Sequence, residues 1–150
     1  MTSIEQSVVI GRPVEEVWAY VIDPANNPVW QGPVIEVRRG AGAPLEVGSE
    51  LEEVMQFLGR RIEVTWVVTD YEPMRRSAVR AIAGPVPMHA SYSFDPVDGG
   101  TRFTMVAEME AHGLFKLAEP VFARMVRREA ASSCEMVKEL LEAGAATGSP

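Results

Sequence analysis

With 150 residues, 47% hydrophobic and 23% charged, the chain is long enough to bury one sizeable core and too short for two domains. A formal net charge of −7 opposes phosphate backbones and anionic lipid head groups, which argues against nucleic acid as a partner. The lone Cys134 rules out an internal disulfide and fits a reducing compartment, and with only His89 and His112 beside it no metal centre is expected.

The opening MTSIEQSVVI has no basic stretch, and nowhere do about 18 apolar residues follow one another, so a cytoplasmic protein without integral membrane association is expected. Residues 4 to 10 are rich in Val and Ile and read as a strand. Pro13 then suits a first helical turn, Glu15 and Glu16 complement the helix dipole, and Val14, Val17, Trp18, Tyr20 and Val21 form an apolar stripe. Asp23 can cap a second short helix with Pro24 at its first position, and Pro28 is expected to stop that helix ahead of Trp30. Both tryptophans are expected to pack in the core under a later helix.

From residue 33 to about 110, short β-branched or aromatic runs are separated by turn signals (GAGAP, LGR, YEPM, AGPV, DPVDGGT), which predicts a meander of six strands. Apolar residues from Leu114 to about Ala143 then recur near the helical period and predict one long amphipathic helix, bent or interrupted at Pro120. Arg124, Arg127 and Arg128 interleave with Glu119, Glu129 and Glu135, as on a solvated helix face. Residues 1–143 are expected to form a single domain, and 144–150 a flexible tail. A helix of about 28 residues at 1.5 Å each would run about 40 Å across a twisted sheet, an α+β grip.

Turn lengths predict strand registers. A two-residue loop at Leu58-Gly59 pairs Met55 with Ile62, Glu53 with Val64 and Leu51 with Trp66. One at Glu72-Pro73 pairs Trp66 with Val79, Val68 with Ser77 and Val64 with Ala81, and one at Gly84-Pro85 pairs Ala81 with Met88, Val79 with Ala90 and Ser77 with Tyr92. Placing Phe94 opposite Phe103 sets Tyr92 by Met105, Ala90 by Ala107 and Met88 by Met109. All four registers put one apolar set on one face and leave Glu52, Gln56, Arg61, Glu63, Arg76, Arg80, His89, Arg102, Glu108 and Glu110 on the other.

PVEEVWAYVIDPANNPVW, EVG, FLGR, DYEPMRR, VDGGTRFT and GLFKLAEP, in this order over almost the whole chain, resemble the SRPBCC superfamily of START-like, birch-pollen-allergen-like helix-grip domains, and within it the polyketide cyclase/dehydrase and lipid-transport branch. The resemblance implies a helix-grip fold: a seven-stranded antiparallel curved sheet wrapped around a long C-terminal helix, two short helices after strand 1 forming a V beneath that helix, and a hydrophobic cavity between sheet and helix.

The predicted inner face mixes bulky Trp66, Met88, Phe94, Phe103, Met105 and Met109 with small Ser77, Ala81, Ala90 and Ala107, an alternation that leaves volume unless the large side chains fill it. The methionines suit an adaptable apolar guest. The expected ligand-binding set is therefore Glu53, Met55, Val64, Trp66, Ser77, Val79, Ala81, Met88, Tyr92, Phe103, Met105 and Met109 from the sheet. Phe115, Phe122 and Met125 join it as roof or gate, with Leu114 and Leu117 beside them.

Glu53 stands at an otherwise apolar position, where it either anchors a ligand hydroxyl or acts as a base, or else pairs with an arginine at a frayed rim. Tyr92 and Ser77 offer a phenol and a hydroxyl to a guest, or bond each other or water; His112 falls at the expected mouth. Glu53, Tyr92 and His112 are the candidate catalytic residues. No phosphate-binding loop, dinucleotide fingerprint, HExxH or nucleophilic triad is present, and the acids of DPVDGGT are explained by a hairpin turn. The expected function is binding of a small hydrophobic or amphipathic molecule, a polyketide, lipid or aromatic metabolite, with no cofactor. A polyketide cyclase/dehydratase-like enzyme and a protein-interaction module are the alternatives, and a homodimer is left open.

Overall fold

The structure, a computed structural model, describes residues 2–39, 45–57, 59–110 and 119–146. Strand β1 (Thr2–Ile10) is followed by α1 (Val14–Val21), a 3₁₀ turn (Pro24–Asn26) and α2 (Asn27–Trp30). Six strands follow: β2 (Val34–Arg39), β3 (Glu50–Phe57), β4 (Arg60–Glu72), β5 (Arg76–Ala83), β6 (Met88–Val97) and β7 (Gly100–Met109). The long helix α3 (Glu119–Ala146) closes the order. The strands form one seven-stranded antiparallel sheet in the order β1-β7-β6-β5-β4-β3-β2. The helix-grip fold expected from the resemblance is the fold observed.

Local chemistry explains the entry into the sheet. Pro13 caps α1, whose Val17, Trp18 and Val21 are buried. The Asp23 side chain accepts the Ala25 N–H at 3.1 Å and so caps the 3₁₀ turn. Pro28 does not stop a helix as expected: it occupies the first turn of α2, where its missing N–H would be unpaired anyway, and the helix continues through Trp30. Pro120 likewise falls in the first turn described for α3. That helix runs through Ala146.

The registers of β3 with β4, and of β6 with β7, are those expected; β5 pairs β6 as expected from Ser77↔Tyr92 to Arg80↔His89, where the ladder ends short of Ala81 and Met88. The β4–β5 register differs. Glu72 pairs with Arg76, so the loop has three residues, and Met74 takes φ 63, the left-handed conformation such a loop requires. Together with a bulge beyond Val68, this sets Trp66 opposite Ala81 and Val68 opposite Val79, two residues from expectation, a slip that keeps these four side chains on their predicted face. A bulge between Val68 and Asp70 then pairs Ser77 with Tyr71 and turns Tyr71 inward onto Trp18 (centroids 5.4 Å apart). At the β6–β7 hairpin, Gly100 lies so close to β1 that a Cβ would stand 2.0 Å from the Ile10 carbonyl oxygen.

Two apolar clusters lie between sheet and helices. One joins Trp18, Trp30, Phe94 and Phe103 to Ile10, Val17, Val21, Cys134 and Val137, so both tryptophans are core residues and the cysteine is buried. The other is largely aliphatic: Ile4, Val34, Leu51, Met55, Val64, Met88, Met109 and Val126 around Trp66. Helix α3 spans both, and its C-terminal half is clasped to β1: Lys138 Nζ reaches the Val9 carbonyl (2.8 Å) and Glu142 (2.7 Å), and Glu142 accepts the Gly11 N–H (2.8 Å). No described helix is long and apolar enough to cross a membrane.

Candidate functional site: a cavity between sheet and long helix

At the aliphatic end the sheet and α3 do not close on each other. A cavity of about 150 Å³ remains. Its sheet wall carries Leu51, Glu53 and Met55 from β3, Trp66 and Val68 from β4, Ser77 and Val79 from β5, Met88, Ala90 and Tyr92 from β6, and Met105, Ala107 and Met109 from β7. Val126, Glu129, Ala130 and Ser133 of α3 roof it, and Val21, Ile22, Pro24, Asn27 and Gln31 close the side toward the short helices. Ala90 and Ala107 face each other across β6 and β7, and their short side chains leave the sheet floor low beneath the helix.

Nine of the residues expected to contact a ligand thus lie on the wall: Glu53, Met55, Trp66, Ser77, Val79, Met88, Tyr92, Met105 and Met109. Five stand off it. Val64 is 1% exposed and packs within the aliphatic cluster, and Phe103 is fully buried in the aromatic one, against Phe94, Trp30 and Tyr92. Ala81 borders a separate shallow hollow with Pro87 and Met88, beyond the end of the β5–β6 ladder. Phe122 packs against the aliphatic cluster, and Met125 is half-buried on α3 away from the wall. Phe115 and His112, with Leu114 and Leu117, lie outside the described residues.

The polar groups on this wall decide its chemistry. Glu53 is 6% exposed and pairs with no arginine among the described residues; instead, Asn27 Nδ2 donates to its Oε2 at 2.9 Å. Burial pushes the Glu53 carboxyl above the usual carboxylate range, opposed by the Asn27 hydrogen bond and by the Trp66 indole. Trp66 sits diagonal to Glu53 across β3 and β4, since Leu51 pairs with Trp66 and Glu53 with Val64. Its Nε1–H approaches closely enough to favour the ionised carboxylate, yet among the described residues no acceptor meets it in hydrogen-bond geometry.

Tyr92 bonds neither Ser77 nor Glu53; its hydroxyl accepts from Gln31 Nε2 at 2.9 Å. Burial first, and the Glu53 charge second, raise its pKa, which keeps the phenol protonated as a donor. Thr101, by contrast, is fully buried, and its Oγ1 donates to the Arg12 carbonyl at 2.9 Å. Leaving a buried donor such as Trp66 Nε1 unpaired costs about 1–3 kcal/mol. Trp30 Nε1 is also unpartnered, but it lies in the aromatic cluster, edge-on to Tyr92, and not on the wall.

Asn27 and Gln31 were not anticipated. They are four residues apart, on one side of the chain through α2, and both aim amides at the acidic and phenolic groups of the sheet. Two amides at helical spacing, i and i+4, were the signal. Among the described residues, no group of three or more His, Cys, Asp or Glu could hold a metal ion.

Solved structures share this architecture at low sequence identity. A protein of Thermus thermophilus superposes with a TM-score of 0.80 at 15% identity, covering 95% of this chain and 98% of that one. The Zhui aromatase/cyclase of a Streptomyces species gives 0.76 at 18% identity, over 95% and 94% of the two chains. A START superfamily protein from Mycobacterium smegmatis gives 0.68 at 16%, over 99% and 100%. These likenesses establish the fold. No curated protein matches the sequence significantly. The family model described as polyketide cyclase / dehydrase and lipid transport matches residues 1–142, nearly the whole chain, and the protein belongs to that family.

Proposed function

We propose that the protein binds a small hydrophobic or amphipathic molecule, a polyketide-derived, lipid or aromatic metabolite, in the cavity beneath α3, and that it does so in the cytoplasm. The observation that carries this reading is the pairing of an unfilled space of about 150 Å³ with an apolar wall bearing a few inward polar groups, the usual character of a small-molecule site. The volume favours a compact guest of one or two rings, or the ring end of a longer molecule. The family and the likeness to START and aromatase/cyclase structures support it. Titration with the neutral fluorophore N-phenyl-1-naphthylamine tests it: saturable one-to-one enhancement is expected. No enhancement, together with no retained compound from a broad apolar library by native mass spectrometry, would overturn it.

A second reading, a cyclase or dehydratase, is favoured by one observation: Glu53, with its raised pKa, and the protonated Tyr92 share the wall. In an aldol cyclisation Glu53 would remove a proton from a carbon between two carbonyls, and Tyr92 would donate to the oxygen that gains charge. If Glu53→Gln and Tyr92→Phe leave turnover of a candidate poly-β-ketone unchanged, these residues do not carry such chemistry.

A further inference from the structure

On the wall a donor, the Trp66 indole N–H, and an acceptor, Glu53 Oε1, stand beside each other with no hydrogen bond to either among the described residues. Trp66 is 6% exposed and lines the cavity, and among the described residues no acceptor, Glu53 included, meets its Nε1–H in hydrogen-bond geometry. Glu53, also 6% exposed and diagonal to Trp66, is held by Asn27 through Oε2, which leaves Oε1 for another donor. Among the described lining residues there is no lysine or arginine, while three carboxylates, Glu53, Glu108 and Glu129, are present. His89 also lines the space, but it sits opposite Glu108 across β6 and β7, and both border the shallow outer hollow.

Building on the ligand-binding reading, we propose that the guest is anchored by a single neutral hydroxyl group, of an alcohol, phenol or enol, that accepts the Trp66 indole N–H and donates to Glu53 Oε1. A hydroxyl is the smallest group that both donates and accepts. A hydrocarbon would leave the indole unpaired in a desolvated site. A carboxylate or phosphate head beside Trp66 would face Glu53, with no lysine or arginine among the described lining residues to receive it. The cavity thus selects hydroxylated aromatic or alicyclic molecules over fatty acids and other anionic amphiphiles.

Three compounds on one ring system test this: 2-naphthol, naphthalene and 2-naphthoate, titrated by calorimetry or ligand-observed NMR. 2-Naphthol should bind about tenfold tighter than either of the others, the effect of pairing a buried donor. Trp66→Phe removes the N–H but keeps an aromatic ring and should reduce the preference over naphthalene to less than about threefold. Glu53→Gln should relax the exclusion of 2-naphthoate. A readout that needs no variant is the Trp66 indole N–H resonance, which should move downfield with 2-naphthol and not with naphthalene. Equal affinity for naphthalene or 2-naphthoate, or an unmoved Trp66 resonance at saturation, overturns the hydroxyl anchor. If none of the three binds while N-phenyl-1-naphthylamine still does, the anchor falls and the binding reading stands; if that fluorophore and the broad apolar library fail as well, both fall.

Discussion

The two ends of the space between sheet and α3 are built from different materials. At one end Trp18, Trp30, Phe94 and Phe103 meet edge to face or tilted, with centroids 5.1 to 5.9 Å apart, and Cys134 and Val137 of α3 press on them. Such rings fill volume and hold defined orientations. At the other end, methionines and branched aliphatics surround Trp66, Ala90 and Ala107 provide no bulk, and space remains. The same sheet and helix therefore make a solid anchor and an open receptacle, and the difference lies in side-chain size, not in backbone topology. The aromatic end, with the Lys138–Glu142 clasp, fixes the helix so that the other end can stay open without collapsing.

The largest test of this contrast is truncation at the solid end. Phe103→Ala should cost about 3–5 kcal/mol in chemical denaturation, because Phe103 is fully buried among rings. A loss below about 1 kcal/mol would mean that this end is not close-packed.

Enlarging one small residue at each end sharpens it. Cys134→Leu should destabilise by about 1–3 kcal/mol, the usual cost of overpacking a filled core. Ala107→Leu should cost less than about 1 kcal/mol, since its added atoms enter the cavity, and it should abolish N-phenyl-1-naphthylamine binding. Equal destabilisation by the two substitutions would erase the distinction.

A third test reads the charge at the open end through pH. The folded-state pKa of Glu53 is raised, chiefly by burial, so the folded protein holds a proton that the unfolded chain has released. Stability linked to Glu53 is complete below the unfolded carboxyl range, about pH 4, and is lost as pH rises through the folded pKa. Glu53→Gln, which preserves an acceptor for Asn27, should therefore gain stability over the native protein as pH rises from about 4 through the folded pKa. A difference independent of pH would place Glu53 in solvent.

The smallest effect is expected at the clasp. Glu142→Gln should lower stability by less than about 1 kcal/mol, because the ion pair with Lys138 is partly exposed. The Lys138 hydrogen bond, and then that of Gly11, hold the Glu142 carboxyl below its usual range. The loss should therefore appear above about pH 4 and vanish as pH falls through the folded pKa.

Much of this was legible because β-turn chemistry fixes register. Asp98-Gly99 joins Val97 to Gly100, and Gly59 takes φ +76 between Phe57 and Arg60; each sits where a short loop was expected, so the faces of β3, β4, β6 and β7 followed. The three-residue loop at Pro73–Arg75 escaped notice because it places Met74, not a glycine, in the left-handed region. Its two-residue slip did no harm to the reading of faces. The bulge that turns Tyr71 inward breaks alternation, and period-two reasoning has no means to see it. Within the site, Trp66, Glu53 and Tyr92 were visible as inner-face residues, whereas Asn27 and Gln31 depend on how the two short helices pack on the sheet, which is tertiary information. The same limit explains Phe103: its face was read correctly, but whether an inward ring meets a cavity or a neighbour depends on where the two short helices lie.

A crystal structure of the protein grown with N-phenyl-1-naphthylamine tests the central claim most directly. Density for one probe molecule is expected under α3, in contact with Trp66, Ala90 and Ala107, with the aromatic cluster unchanged. Probe density elsewhere, or side chains closing the space beside Trp66 so that no guest fits, would contradict it.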